Sequence, residues 1–208
     1  MDFSNMGLIL ASGSPRRRAL LTTCGISLKA ILPSCVEEHR AASESPKSYC
    51  SRLAKEKALA VAAICRTKSP SDWVLAADTV VSMNNNIYEK PADDKDAFSM
   101  LKALSSGWHE VHSAWFLLKS DESIFEHGIS TSEVRFRPLT DDEIRTYIHT
   151  GEGRDKAGSY GIQGLGAALV QEIKGSYSNI VGLPVHNVVS ALRKHGLTPD
   201  AQKRERHG

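Results

Sequence analysis

"WVLAADTVVSM", residues 73–83, is apolar enough for a buried strand, yet it carries a carboxylate, Asp78, near its middle. An ionised carboxylate in such a strand is costly unless it is paired or bound to a metal. No residue of the strand itself can pair with it. Strand alternation puts Asp78 and Thr79 on opposite faces, unless the strand ends or bulges here to open a cleft. Two readings follow: a structural ion pair with a distant Arg or Lys, or a functional site, where buried ionisable groups cluster.

Toward the N-terminus, Ser45-Pro46 opens a helix over residues 45–67, rich in Ala and Lys. Lys57 lies four residues from both Leu53 and Val61, so it falls on their apolar stripe and either snorkels or meets an anion. Before it, residues 8–11 predict a short buried strand, residues 15–23 a helix closed by Gly25, and residues 26–32 a second strand. Toward the C-terminus, residues 84–86 form a turn, and residues 93–104 a helix. Residues 110–120 and 130–139 read as antiparallel strands flanking a turn at 121–123, and Thr140 to Glu143 is a capping box for a helix to about His149. The glycine-dense segment 151–182 mixes loops with strands such as "AALVQEI", and Leu183-Pro184 leads into a last helix ending near His195-Gly196. Strands and helices alternate first and hairpins follow, so the class is α/β with a mixed sheet. One domain over residues 1–197 is expected, with a polar, disordered tail at 198–208.

The chain has 208 residues, 41% hydrophobic and 24% charged, with a net charge of +2, an ordinary globular composition that argues against a dedicated nucleic-acid binder. No stretch reaches the ~18 apolar residues of a membrane helix. The start "MDFSNMGLIL" lacks the features of an export signal, and four scattered cysteines without C-x-x-C spacing read as reduced thiols. A cytoplasmic protein is the expectation.

"LILASGSPRRRALL", residues 8–21, places three arginines at a helix start, the end of the macrodipole that disfavours cations. With Ser14 as N-cap, Pro15 at the first helical position and Gly13 before them, the stretch suits an anion, and a polyphosphate would reconcile the arginines with the dipole. Helical spacing lets only one or two of the three reach it. A solvated helix start is the competing reading, and no Walker A sequence is present. Lys90 could swing back over the Asp78 strand, and Glu38, of the Glu37-Glu38 pair, could join Asp78 as an oxygen ligand for Mg²⁺. Gln163, in "DKAGSYGIQGLG", offers one amide acceptor and two donors, a match for the imide edge of uracil or thymine, although taken alone it reads first as a loop glutamine capping a backbone group. The sequence holds no G-x-S-x-G, H-E-x-x-H or G-x-G-x-x-G motif, and its eight histidines form no metal-ligand spacing.

Together "LILASGSPRRRALL", "RLAKEKA", "AADTVV", "EKPADDKDAFSML", "DKAGSYGIQG" and "GSYSNIVGLPV" resemble, in order, the Maf family of nucleoside triphosphate pyrophosphatases, over about residues 7–195. The resemblance implies a fold related to the inosine triphosphate pyrophosphatases: an elongated mixed sheet with flanking helices, in two lobes around a nucleotide cleft. It also implies cleavage of a nucleoside triphosphate to monophosphate and pyrophosphate with a divalent cation, Mg²⁺ or Mn²⁺, and a homodimer. By the same resemblance Asp78 is the catalytic carboxylate. Arg16, Thr79 and Gln163 match the subgroup similar to dTTP and UTP pyrophosphatases; the 7-methyl-GTP subgroup has Glu where Gln163 stands. Ser12, Ser14, Arg16, Arg17, Lys57, Lys90 and Lys156 are expected to bind phosphates, and Asp78 with Glu38 to hold the metal. Trp108 and Trp115 are bulkier than the family pattern, and are expected near the cleft mouth or a dimer surface. The rival readings are a non-catalytic nucleotide or nucleic-acid binding protein linked to cell division, and a purine or 7-methyl-GTP pyrophosphatase.

Overall fold

A computed structural model describes residues 6–41 and 43–197, so the tail expected to be disordered lies outside the described residues. In chain order the elements are β1 (Leu8–Leu10), α1 (Pro15–Thr23), β2 (Ala30–Ile31), α2 (Pro46–Cys65), β3 (Trp73–Met83), β4 (Asn86–Tyr88), α3 (Asp94–Leu104), β5 (Trp108–Lys119), β6 (Phe125–Phe136), α4 (Asp141–His149), β7 (Val170–Lys174), α5 (Tyr177–Val181) and α6 (Val185–Lys194). Short 3₁₀ turns cover Ala157–Ser159 and Gly164–Leu169. The strands form one mixed sheet in the order β2-β1-β3-β5-β6-β7, with β4 also paired to β3. The parallel pairs are β1 with β2 and β1 with β3; the rest are antiparallel.

The chemistry of the sequence sets most of these boundaries. Ser14 caps α1, Ser45 caps α2 and Asp93 caps α3, each with its side-chain oxygen on a first-turn amide. Thr140 and Glu143 complete the capping box of α4. Gly25, at φ 75°, turns the chain after α1. In α2 the stripe Tyr49, Leu53, Ala58 and Val61 packs on Val74, Ala76 and Val80 of β3 and on Ala114 and Phe116 of β5. The opposite face of the same strands, with Leu75, Ala77 and Leu117, is covered by Leu21 of α1 and Val188 and Leu192 of α6. A third cluster joins Val81, Val111, Val134 and Phe136 to Leu101 and Leu104 of α3 and to Ile144 and Tyr147 of α4.

Four expectations need correcting. The second strand, expected over 26–32, is only Ala30–Ile31, because its partner β1 is itself three residues long. Asn86 leaves the turn for β4: only Asn84 and Asn85, at φ 52° and 65°, form the loop, the positive-φ pair of a type I′ hairpin. Residues 167–169 are 3₁₀ rather than strand, and residues 177–181 are helical. Of the two places expected for the tryptophans, the cleft is the one corrected, since neither lines the cleft described next: Trp115 is core, against Gly128, and Trp108 lies under the Lys174 ammonium, 4.0 Å from its ring centroid.

Candidate active site

One edge of β3 pairs with β5 along its length, whereas the other is shared by two short strands. There β1 takes residues 73–75 and β4 takes 81–83, leaving residues 76–80 without a ladder partner among the described residues. A cleft of about 510 Å³ opens at this gap, a size usual for small-molecule sites. The strand neither ends nor bulges at Asp78. Alternation is kept, and both Asp78 and Thr79 face the cleft because it straddles the open sheet edge.

Asp78 is 6% exposed. Its carboxylate meets the Lys57 ammonium, which lies 2.6 Å from Glu38 as well. The lysine on the apolar stripe of α2 therefore meets anions rather than snorkelling to water. Burial pushes the Asp78 carboxyl above the ordinary carboxylate range, against the opposing pull of Lys57 and Arg17. Burial also acts to raise the Glu38 carboxyl, but Lys57, Lys90 and Arg17 outweigh it and hold the group below its usual value.

The loop before α1 supplies the adjoining wall. The Ser14 hydroxyl accepts the Arg17 N–H and its carbonyl takes the Arg18 N–H, so the Arg16 N–H is the first-turn donor left without a partner among the described residues. Gly13 carries no positive φ, and a Cβ there would lie at an ordinary 3.6 Å from Pro33. The three arginines divide as helical spacing requires: Arg16 and Arg17 line the cleft and Arg18 faces away from it, exposed. Arg17 is a built-in strut. It donates to the Gly182 carbonyl at 2.8 Å, to Ser12 Oγ at 3.0 Å and to Thr79 Oγ1 at 3.0 Å. Arg16 reaches across to Asp155 at 3.3 Å, and Asp155 also holds Lys156 at 2.6 Å.

Every site residue expected from the sequence lines this one cleft, including Lys90 and Gln163. Lining residues not foreseen include Asp155, Glu89, and Tyr49, whose hydroxyl donates to Glu89 at 2.8 Å. Tyr49 could have been found, since it lies two i,i+4 steps before Lys57 on the same helical stripe. The lining holds five cations (Arg16, Arg17, Lys57, Lys90, Lys156) against four carboxylates (Glu38, Asp78, Glu89, Asp155), so most of its positive charge is matched internally.

The cleft thus combines basic side chains with one carboxylate that is almost fully buried. Residues 7–195 match the family described as Maf-like protein. The chain belongs to the Maf family. Among Maf relatives, the dTTP/UTP pyrophosphatase of Koribacter versatilis is 45% identical over 192 residues, covering 92% of this chain and 96% of that protein. The dTTP/UTP pyrophosphatase of Halalkalibacterium halodurans is 46% identical over 92% of this chain and 97% of its own length. That of Thermus thermophilus is 42% identical, with 92% and 96% covered. A solved nucleoside-triphosphatase / dITP/XTP pyrophosphatase from Mycobacterium abscessus aligns over 91% of this chain and 95% of its own, at 14% identity and a TM-score of 0.39, a similarity that supports no inference.

Donor chemistry decides whether a divalent cation fits the site. The described residues contain no cluster of three or more His, Cys, Asp or Glu able to enclose a metal. Asp78 and Glu38 nevertheless converge on one positive charge, the Lys57 ammonium. Two carboxylates completed by substrate phosphates and water are a donor set that suits Mg²⁺ or Mn²⁺, so the residues fit.

Proposed function

We propose that this protein is a nucleoside triphosphate pyrophosphatase that hydrolyses dTTP and UTP to the monophosphate and pyrophosphate. The observation that carries the reading is the buried Asp78 carboxylate, which lines one cleft together with five basic side chains and Gln163. The names of relatives at 42–46% identity support it.

In this reading Arg16, Arg17, Lys57, Lys90 and Lys156 neutralise the triphosphate, and Ser12 and Ser14 shape the loop whose Arg16 amide faces it. Phosphoryl-type transfers depend mainly on such positioning and charge neutralisation. Asp78 takes a proton from a water whose oxygen attacks the α-phosphorus; the α–β bridging P–O bond breaks and pyrophosphate leaves. The raised affinity of Asp78 for a proton suits it to this task. Asp78 and Glu38 would hold the divalent cation, which supplies further charge neutralisation when bound. Gln163 pairs with the imide edge of the pyrimidine, and Arg16 and Thr79 complete the selection.

Four free cysteines, Cys35 among them exposed, fit a reducing cytoplasm, and no helix of the described residues is long and apolar enough to cross a membrane. The homodimer implied by the family belongs to this reading, and sedimentation at twice the chain mass checks it. The deciding experiment incubates the protein with Mg²⁺ or Mn²⁺ and a panel of nucleoside triphosphates, measuring pyrophosphate and monophosphate separately. Pyrophosphate with TMP or UMP, and little from GTP or 7-methyl-GTP, is expected. A preference for guanine nucleotides moves the chain to the purine reading; no product from any nucleotide leaves a binding protein.

A further inference from the structure

Gln163 stands at the N-cap of the 3₁₀ turn Gly164–Leu169, yet its side chain makes no capping bond. The cap comes from eleven positions earlier in the chain. Glu152 accepts the Leu165 N–H on Oε2 and the Gly166 N–H on Oε1, both at 2.8 Å. Tyr147 of α4 donates its hydroxyl to Glu152 Oε1 at 2.9 Å, and the Tyr147 hydroxyl oxygen in turn accepts the Gly161 N–H at 3.2 Å. Backbone on both sides of Gln163 thus hangs from one Tyr–Glu pair.

The fit is tight. A Cβ on Gly166 would lie 2.1 Å from the Gly161 carbonyl oxygen and 2.9 Å from the Tyr147 hydroxyl, and one on Gly164, at φ +70°, 2.5 Å from Glu152 Oε2. Burial acts to raise the Glu152 carboxyl, but the two amides and Tyr147 outweigh it and keep the group ionised. The backbone carbonyl of Glu152 also accepts from Lys156 Nζ, so one residue touches both the base side and the phosphate side of the cleft.

We propose that Glu152 and Tyr147 are positioning residues for base selection: they take over the capping of the turn, fix residues 161–166, and leave the Gln163 amide free and aimed at the pyrimidine. The inference rests on the reading given under Proposed function, and its test separates the two. Wild-type protein and the variants Tyr147→Phe, Glu152→Gln and Gln163→Ala, with the double variants, are assayed for kcat and KM on dTTP, UTP and GTP. Melting temperatures are recorded alongside. Tyr147→Phe and Glu152→Gln should each raise KM for dTTP and UTP by about three- to tenfold, the size of a lost hydrogen bond, with kcat changed less than about twofold. Selectivity over GTP should shrink by the same factor.

In the Gln163→Ala background the same substitutions should change KM by less than about twofold, since neighbours that act through one another are not additive. Equal losses in both backgrounds, or a uniform fall in kcat on all three nucleotides, would show a merely structural role and overturn the proposal. If Glu152→Gln fails to fold, Tyr147→Phe, which removes only a hydroxyl, carries the test. A wild-type protein inactive on every nucleotide would overturn the function reading and this proposal with it; an active one with additive losses overturns only this proposal.

Discussion

At the scale of the residue, the buried charge on Asp78 is costly to the fold, and the proposed reaction draws on it as a base. Its folded-state pKa is raised, so the ionised form is less favourable in the folded chain than in the unfolded one. That penalty is absent below the ordinary carboxylate pKa and grows as pH rises through the raised value. Asp78→Asn should therefore lower kcat by about 10²- to 10⁴-fold, the usual loss for a general base, without lowering stability at pH 7. Lys57 keeps Glu38 at 2.6 Å in that variant and is not orphaned. Pyrophosphate release and chemical denaturation check both halves; near-normal turnover would remove Asp78 from the reaction. Asp155 makes the opposite prediction. It occupies Arg16 and Lys156 when no substrate is present, and its side chain is 64% exposed. Exposed pairs contribute about 0.2–1 kcal/mol, so Asp155→Asn should lower KM for dTTP by up to about fivefold at unchanged kcat. Initial-rate kinetics measure this, and a raised KM would mean that Asp155 aims the cations rather than competing for them.

At the scale of the element, legibility follows the range of the interactions that fix each boundary. The helix α1 and the strand β3 match their sequence spans because caps, a closing glycine and a long, mostly apolar run are local signals. β4, β7 and α5 are three to five residues long, and their state is decided by neighbours distant in the chain. The site divides the same way. Asp78, Lys57 and the arginines announce themselves as charges in the wrong place, whereas Glu152 reads as an ordinary loop acid because its partners are backbone amides, which have no sequence signature. On β5, His109 is a buried element-level feature with a testable cost. The residue is 2% exposed, and its ring packs edge-on to Phe136 and Tyr160 and hydrogen-bonds the Tyr160 hydroxyl at 2.8 Å. Burial lowers its pKa from 6.5 to about 4. The unfolded chain takes up the proton first, so stability is intact above pH 6.5 and is lost as pH falls toward 4, by on the order of 3 kcal/mol in all. Denaturant titrations at pH 7 and pH 4.5 should show a smaller acid loss for His109→Gln than for the wild type. An equal loss in both would place the acid sensitivity elsewhere.

At the scale of the molecule, the three apolar clusters share strands rather than merely touching. β3 sends Val74, Ala76 and Val80 into the first, Val81 into the second and Leu75 and Ala77 into the third; β5 likewise divides Ala114 and Phe116, Val111, and Trp115 and Leu117. A sheet shared in this way cannot lose one cluster without uncovering the strands of the others. The cleft lies at the gap in the edge of β3, bounded by α1 and α2, by β4 and by the 155–163 segment, so a ligand there binds only the assembled form. We therefore expect one cooperative unfolding transition for the described region, which is how the single domain expected from the sequence becomes a measurement. The tryptophans are well placed to report it: Trp73 and Trp115 sit in the third cluster, and Trp108 lies against β7 at the other end of β5. Fluorescence of the wild type and of Trp108→Phe, with far-ultraviolet circular dichroism, should give coincident midpoints. A non-hydrolysable dTTP analogue at 100 times its Kd should stabilise the protein by about 2.7 kcal/mol and raise Tm by roughly 5–10 °C, for every probe alike. A shift confined to one probe, or midpoints that separate on adding the analogue, would mean that the wall carrying Gln163 and the wall carrying Arg16 belong to units that fold independently, with the nucleotide bridging them.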